Sequence, residues 1–301
     1  MFYYNKLSDY LIEKYGEKVY KLSLDGKMSC PNRDGKISSG GCIFCSKGGS
    51  GEFAEPACDD VALQIERAKE RVRDKAKNKF IAYFQNYTNT YAPIAYLEKL
   101  FTDAISCDDI VALSIGTRPD CLGDDVLALL NGLNKIKPVT VELGLQTIHE
   151  KAAEFINRGY KLAVYDKAVC DLKAIGIEVV THVILGLPFE TKEMMLQTVK
   201  YVGAVTDGIK LQNLQVLKGT PLSKLYEKGE VTLFERDEYI DLLCDCLSVL
   251  PKRVVVHRLT GDPPKNLLIA PKWCADKKGT LNAITKALSE LSVEQGKESD
   301  F

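Results

Sequence analysis

The sequence lacks net charge: forty Lys and Arg against forty-one Asp and Glu leave −1 at pH 7. No overall field therefore draws the chain to nucleic acid or to an anionic membrane, and any basic surface has to be local. It also lacks a long apolar run. The longest uncharged stretch, Phe80 to Leu97, is interrupted by Gln85, Asn86, Thr88, Asn89 and Pro93, too polar to span a bilayer. Met1 to Lys6 carry no basic segment leading into an apolar one, so no secretory signal is visible and the expected location is the cytoplasm. There is no fixed-period repeat and no low-complexity tract; an alternation of strand and helix patterns is the only periodicity.

What is present suffices for a full core. The 301 residues, 46% hydrophobic and 27% charged, suit one large domain or a domain with a small appendage, and argue against disorder. Ten cysteines in a reducing compartment point to metal binding or redox chemistry rather than to disulfides. Leu7 to Tyr15 reads as a short helix and Lys18 to Leu24 as a strand. The loop from Asp25 to Pro56, rich in Gly, Ser, Asn, Pro and Cys, is too long for a plain connection and reads as functional. A charged helix capped by Asp59 and Asp60 is expected to run to about Lys77. Strands follow at Phe80–Phe84, Ile110–Ile115, Val139–Leu145, Glu178–Leu185 and Gly208–Val216, with helices between them. Such strands, buried on both faces, imply a parallel sheet, either doubly wound or a complete or partial barrel. Beyond Pro221 we expect a helix from Phe234 to Leu250, a strand from Arg253 to Leu259, a helix from Lys278 to Leu291 and a frayed end from Gly296.

Cys30, Cys42 and Cys45 form a C-x11-C-x2-C pattern among closely spaced glycines. Glycine lets backbone fold tightly around a compact inorganic centre, and thiolates are soft ligands for an iron–sulfur cluster or zinc. Three thiolates on three irons of a [4Fe–4S] cluster would leave the fourth iron open for a ligand. With Cys58 as a fourth thiolate, the loop would instead be a closed structural zinc site on a non-redox α/β protein. The loop alone leaves both open.

Further segments follow in order: Thr117-Arg-Pro-Asp120, Glu142-Leu-Gly-Leu-Gln146, Asn157-Arg-Gly159, Ile184-Leu-Gly-Leu-Pro188 and Lys218-Gly-Thr-Pro221. Together with Cys30-Pro-Asn-Arg-Asp-Gly35 and Gly40-Gly-Cys-Ile-Phe-Cys45, they resemble the radical SAM superfamily. The likeness is to its Elongator-catalytic-subunit-like and coproporphyrinogen-oxidase-like branch, and to bacterial members with this long cysteine loop. The resemblance implies an α/β fold: a partial parallel (β/α)6 barrel over residues 25–220 with its cluster loop at 25–56. An N-terminal extension (1–24) and a small C-terminal α/β segment (221–301) closing the barrel would complete it. It also implies a [4Fe–4S] cluster with S-adenosylmethionine at the carboxyl ends of the strands. One electron from a donor such as flavodoxin or ferredoxin then cleaves that ligand to a 5′-deoxyadenosyl radical, which takes hydrogen from a substrate. The substrate, a tRNA or a small metabolite, is named by no motif.

By the same resemblance Cys30, Cys42 and Cys45 ligate the cluster, Gln146 holds the ribose of S-adenosylmethionine and Arg158 its carboxylate. Glu142, an acid on a strand that reads as interior, needs a partner: the ligand's ribose hydroxyls or ammonium, or an internal Lys or Arg. Ile184 would wall the adenine, and Gln215 to Leu217 would offer backbone to its edge. Where many members carry Gly-Gly-Glu for the ammonium, this chain has Phe84-Gln-Asn-Tyr-Thr88, so the assignment passes to Gln85 and Asn86. His182 stands where relatives often have Asp and is a ligand contact or a core histidine. His257, Arg258 and Asp262, at a strand exit, are candidates for substrate recognition. Trp273 and Cys274 belong to the same lid or pin the last helix. The charged tract from Asp60 to Lys79 reads as a solvated face, with RNA phosphates as the alternative.

Overall fold

The computed structural model describes residues 3–49, 51–74 and 78–299. In chain order its strands are β1 (Tyr20–Leu24), β2 (Phe80–Phe84), β3 (Ile110–Thr117), β4 (Val139–Gln146), β5 (Glu178–Leu185), β6 (Gly208–Asn213), β7 (Val216–Leu217), β8 (Val255–Arg258) and β9 (Leu268–Ala270). Strands β1 to β6 lie side by side in sequence order, β8 adds to β6, and every pairing is parallel. A strand order that never turns back is that of a barrel, not of a doubly wound sheet. With β1 and β8 as its edges, the barrel is partial, as expected, and its seventh strand comes from the C-terminal segment. β7 and β9 form a separate antiparallel pair.

Helices cover the outside: α1 (Leu7–Tyr15), α2 (Val61–Glu70), α3 (Ile94–Ile105), α4 (Asp124–Asn134), α5 (Glu150–Phe155), α6 (Leu162–Ala174), α7 (Lys192–Val205), α8 (Pro221–Glu227), α9 (Arg236–Val249) and α10 (Lys277–Glu290). Period-2 alternation divides each strand. Leu22, Ala82, Leu113, Val141, Val183 and Ile209 join the main core under the helices, where each large aliphatic contributes roughly 1.5–3 kcal/mol. Their neighbours in sequence face the barrel interior. At the amino end of the strands, Ile81 and Ala112 pack with Leu11 of α1, and Val256 donates its amide to Asn5 O at 2.7 Å. The N-terminal helix thus covers that end.

Some elements differ from the sequence reading. The Asp60 carboxylate caps α2 through the Ala62 and Leu63 amides, but the helix ends at Glu70; the expected end near Lys77 lies outside the described residues. The strand expected over Gly208–Val216 breaks after Asn213, and the short helices α5 and α8 were not expected. The end is not frayed through residue 299: Gln295 is buried, donating to Pro251 O and Val254 O, and the Glu298 amide bonds Ser248 O at 2.8 Å. Among the described residues no helix is long and apolar enough to cross a membrane.

Candidate active site

A cavity of about 270 Å³ opens at the carboxyl ends of the strands and runs down into the barrel, with Cys30, Cys42 and Cys45 on its wall as free thiols. The loop that carries them is held from inside and outside. The Arg33 amide turns back on Cys30 O at 2.8 Å and the Cys45 amide on Cys42 O at 3.0 Å, while the Arg33 guanidinium donates to Ser46 O at 2.7 Å and Cys45 O at 3.3 Å. Asn157, just past α5, donates to Gly41 O at 2.8 Å, and Asn32 donates to Asn157 O at 2.6 Å. Ile43 and Phe44 pack on the apolar cluster of Ile184, Leu187, Leu214 and Leu222. Gly49 has φ +60°, and a Cβ there would stand 2.4 Å from the Tyr87 ring, so only glycine fits.

Among the described residues no group of three or more His, Cys, Asp or Glu side chains is arranged to hold a metal ion; three thiolates on one loop are the soft donor set that an iron–sulfur cluster takes. Cys58 is not on the wall; its thiol donates to Asp60 O at 2.9 Å. The four-cysteine zinc site is therefore not assembled. Burial, then the neighbouring Cys45, pushes the Cys42 thiol up to about 12, so it is protonated until a metal displaces the proton. Gln146, also on the wall, adopts φ +71° and leaves its buried Oε1 without a partner. A strained backbone and an orphaned acceptor together mark a place where a ligand is received.

Below the rim, six neighbouring strands contribute one side chain each to a polar ring. Glu142 of β4 is 1% exposed. Its Oε1 accepts from Lys21 of β1 at 2.6 Å and Ser114 of β3 at 3.1 Å. Its Oε2 accepts from Tyr83 of β2 and His182 of β5, both at 2.8 Å, and from Lys210 of β6. Burial alone would raise the carboxyl's pKa, but the Lys21 and Lys210 charges and the His182 bond hold it well below the carboxylate range. Burial and the adjacent Lys210 lower His182 to about 4, and burial, offset by Glu142, brings Lys210 down to about 7. Of the two partners foreseen for Glu142, the structure supplies the internal lysines. Lys21, Tyr83, Ser114 and Lys210 were missed by the sequence reading. Their signal is a polar residue at an inward position of an otherwise apolar strand, legible only once the inward face is known.

The remaining expected residues divide. Gln85, Ile184, Gln215, Leu217, Arg258 and Asp262 line the cavity; Asn86 and His257 do not. His257 sits lower, its Nε2 only 2.8 Å from where a Cβ on Gly208 would be. Arg158 lines the cavity but is 1% exposed, and its N–H groups bond the carbonyls of Leu145, Thr147 and Tyr160 and the Glu150 carboxylate. Arg118, unforeseen, also lines the cavity, held by Asp120 at 2.6 and 2.9 Å, with its NH1 on Arg158 O. Both guanidinium groups rest on the Tyr160 ring. Trp273 donates to Phe234 O and stacks on Tyr239, and buried Cys274 accepts from Asn213; both pin the C-terminal segment. On the charged tract Arg71 pairs with Glu55, Lys69 with Asp109 and Lys79 with Glu17, the pattern of a solvated face.

Comparison with known proteins agrees with this geometry. The model of the radical SAM superfamily matches residues 35–202. The chain belongs to the radical SAM superfamily. The Radical_SAM C-terminal domain matches residues 206–290, which hold β6 and β8. The YtqA protein of Bacillus subtilis is 46% identical over 98% of this chain and 92% of its own length, and YhcC of Escherichia coli 36% over 94% and 92%. A tRNA uridine(34) acetyltransferase of Methanocaldococcus jannaschii is 31% identical over 53% of this chain and 30% of its own length. In fold, the archaeal Elp3 of Methanocaldococcus infernus superposes with a TM-score of 0.71 at 20% identity, covering 92% of this chain and 64% of that one. The chain is a radical SAM enzyme, a family that typically uses a [4Fe–4S] cluster and S-adenosylmethionine.

Proposed function

We propose that Cys30, Cys42 and Cys45 hold a [4Fe–4S] cluster at the rim, with S-adenosylmethionine beside it on Gln146, Gln85, Ile184 and the backbone from Gln215 to Leu217. When bound, the pair supplies one-electron cleavage to a 5′-deoxyadenosyl radical that abstracts hydrogen from the substrate. The observation that carries this reading is the meeting of three free thiols and the unpartnered Gln146 oxygen on one cavity wall. The chain's own work is to hold the reactants in line and keep water out: Ile43 and Phe44 seat the loop on an apolar cluster, and the polar ring below has its acceptor filled. Arg158 supports the ligand from behind by fixing the carbonyls of Leu145 and Thr147 on either side of Gln146, and Arg118 and Arg33 are cations next to the thiols. The reductant is a small electron carrier such as flavodoxin or ferredoxin, and the reducing cytoplasm suits the cluster.

For the substrate, likeness to tRNA uridine(34) acetyltransferases over 53% of the chain supports a tRNA whose nucleotide enters the barrel. The depth of the cavity equally admits a free small metabolite. The test is anaerobic reconstitution with iron and sulfide, addition of dithionite and S-adenosylmethionine, and quantification of 5′-deoxyadenosine. Wild type is expected to assemble a four-iron cluster and form the product, and Cys45→Ala to do neither. A chain that binds one zinc instead overturns the reading. Salt-sensitive binding of tRNA would separate the two substrate classes.

A further inference from the structure

The floor of the barrel holds more positive charge than its acids answer. Glu142 has both oxygens committed to five donors. The other carboxylates on the cavity wall are engaged as well, Asp262 with Lys277 and Glu52 with Ser46. Burial and the surrounding cations keep His182 and His257 neutral. Against the single negative charge of Glu142 stand Lys21, Arg258 and the Lys210 amine, which burial brings down to about 7 and which a further anion would hold protonated.

Two of these cations have donors to spare. Lys210 and Arg258 are registered partners on β6 and β8 and both line the cavity. Lys210 uses two N–H groups, on Glu142 and on Tyr83 at 3.0 Å, leaving a third. Arg258 makes one hydrogen bond among the described residues, from NH1 to Gln212 Oε1 at 3.2 Å, leaving most of its fork. Cationic donors in a low-dielectric recess are stable when an anion answers them, and a guanidinium beside an ammonium fits the oxygens of a carboxylate or phosphate.

Resting on the radical SAM reading, we infer that Lys210 and Arg258 form the subsite for a compact oxyanion, a carboxylate or phosphate carried by the substrate, which lies in the barrel beneath S-adenosylmethionine. Lys210 pairs with His182 and His182 with Gly144, so the subsite lies at a strand position two residues before Gln146 on β4, a rise of about 7 Å. Ligand and substrate therefore stack along the barrel axis, and the anionic end of the substrate is the end held away from the radical. The substrate's reacting carbon is the part turned to the rim.

The test uses cluster-loaded protein with saturating S-adenosylmethionine, titrated at constant ionic strength with malonate and, separately, with inorganic phosphate against a chloride background. Saturable binding of at least one probe is expected, and which one binds tells carboxylate from phosphate. Arg258→Gln should weaken it by about tenfold or more, the worth of a hydrogen bond to a charged group, and Arg258→Lys should restore part of it. The thermal midpoint and the affinity for S-adenosylmethionine should stay unchanged in both variants. Absence of saturable binding by either anion, or equal binding by Arg258→Gln, overturns the inference. So does competition between the anion and S-adenosylmethionine, which would give the subsite to the ligand's own carboxylate. Because cluster assembly and S-adenosylmethionine binding are scored separately, failure of the radical SAM reading would show itself apart from failure of the anion subsite.

Discussion

The rim and the floor of the cavity are built on opposite terms. The rim is a glycine-rich loop of backbone turns whose thiols are free and whose neighbour Gln146 leaves an acceptor unanswered. The floor is made of strand side chains, and its carboxylate has every oxygen satisfied. A loop can close around a bulky cofactor because its conformation is not committed to a ladder, at the cost of polar groups that wait for a ligand. Strand side chains are spaced by the pleat and cannot yield, so they suit a prearranged charge network. The same cavity thus has one end whose acceptor the cofactor completes and another whose carboxylate is answered without it.

This contrast can be broken most strongly at Glu142. Glu142→Gln leaves the buried Lys210 and the half-buried Lys21 facing a neutral amide and is expected to lower stability by about 3 kcal/mol, read from denaturant midpoints. Cys45→Ala in the metal-free chain should lower it by under about 1 kcal/mol. Comparable losses would mean that the rim is as prearranged as the floor. Acid should find the floor first. Glu142 and His182 both have folded-state values below their ordinary ones, so the unfolded chain takes up more protons as pH falls. Stability is therefore present at neutral pH and is lost as pH drops from about 6.5 toward 4 through His182, and further as Glu142 is forced to protonate. A thermal midpoint flat across that window would contradict the network.

At the rim, Gln146→Ala removes an atom that bonds nothing in the protein. It should weaken S-adenosylmethionine binding by about tenfold while leaving stability in place, measured by titration and by thermal melting. The smallest effect is expected at Cys58→Ser, with unchanged iron content and a stability change within about 0.5 kcal/mol. Loss of bound metal in that variant would return the fourth-thiolate alternative.

Legibility in the sequence followed the range of the interaction. Leu7–Tyr15 was readable to the residue because helical periodicity and a terminal glycine are local signals. The break between β6 and β7 was not, since the chain there leaves one sheet for another and nothing local marks the change. Gln146 and Arg158 were both legible as a motif. Yet only the structure separates an oxygen with no partner from a guanidinium already bound to three carbonyls.

By itself the sequence determined the alternation of strand and helix, the thiols that converge on one loop, and the superfamily to which the chain belongs. All of these reside in spacing along the chain. Only the tertiary structure decided that Lys21, Tyr83, Ser114, His182 and Lys210 meet on one carboxylate, that Cys58 stands apart and that Arg258 faces the cavity while His257 does not. The reason is physical: which face of a strand points inward is set by the curl of the whole sheet, and that curl is the sum of pairings between segments up to about sixty residues apart.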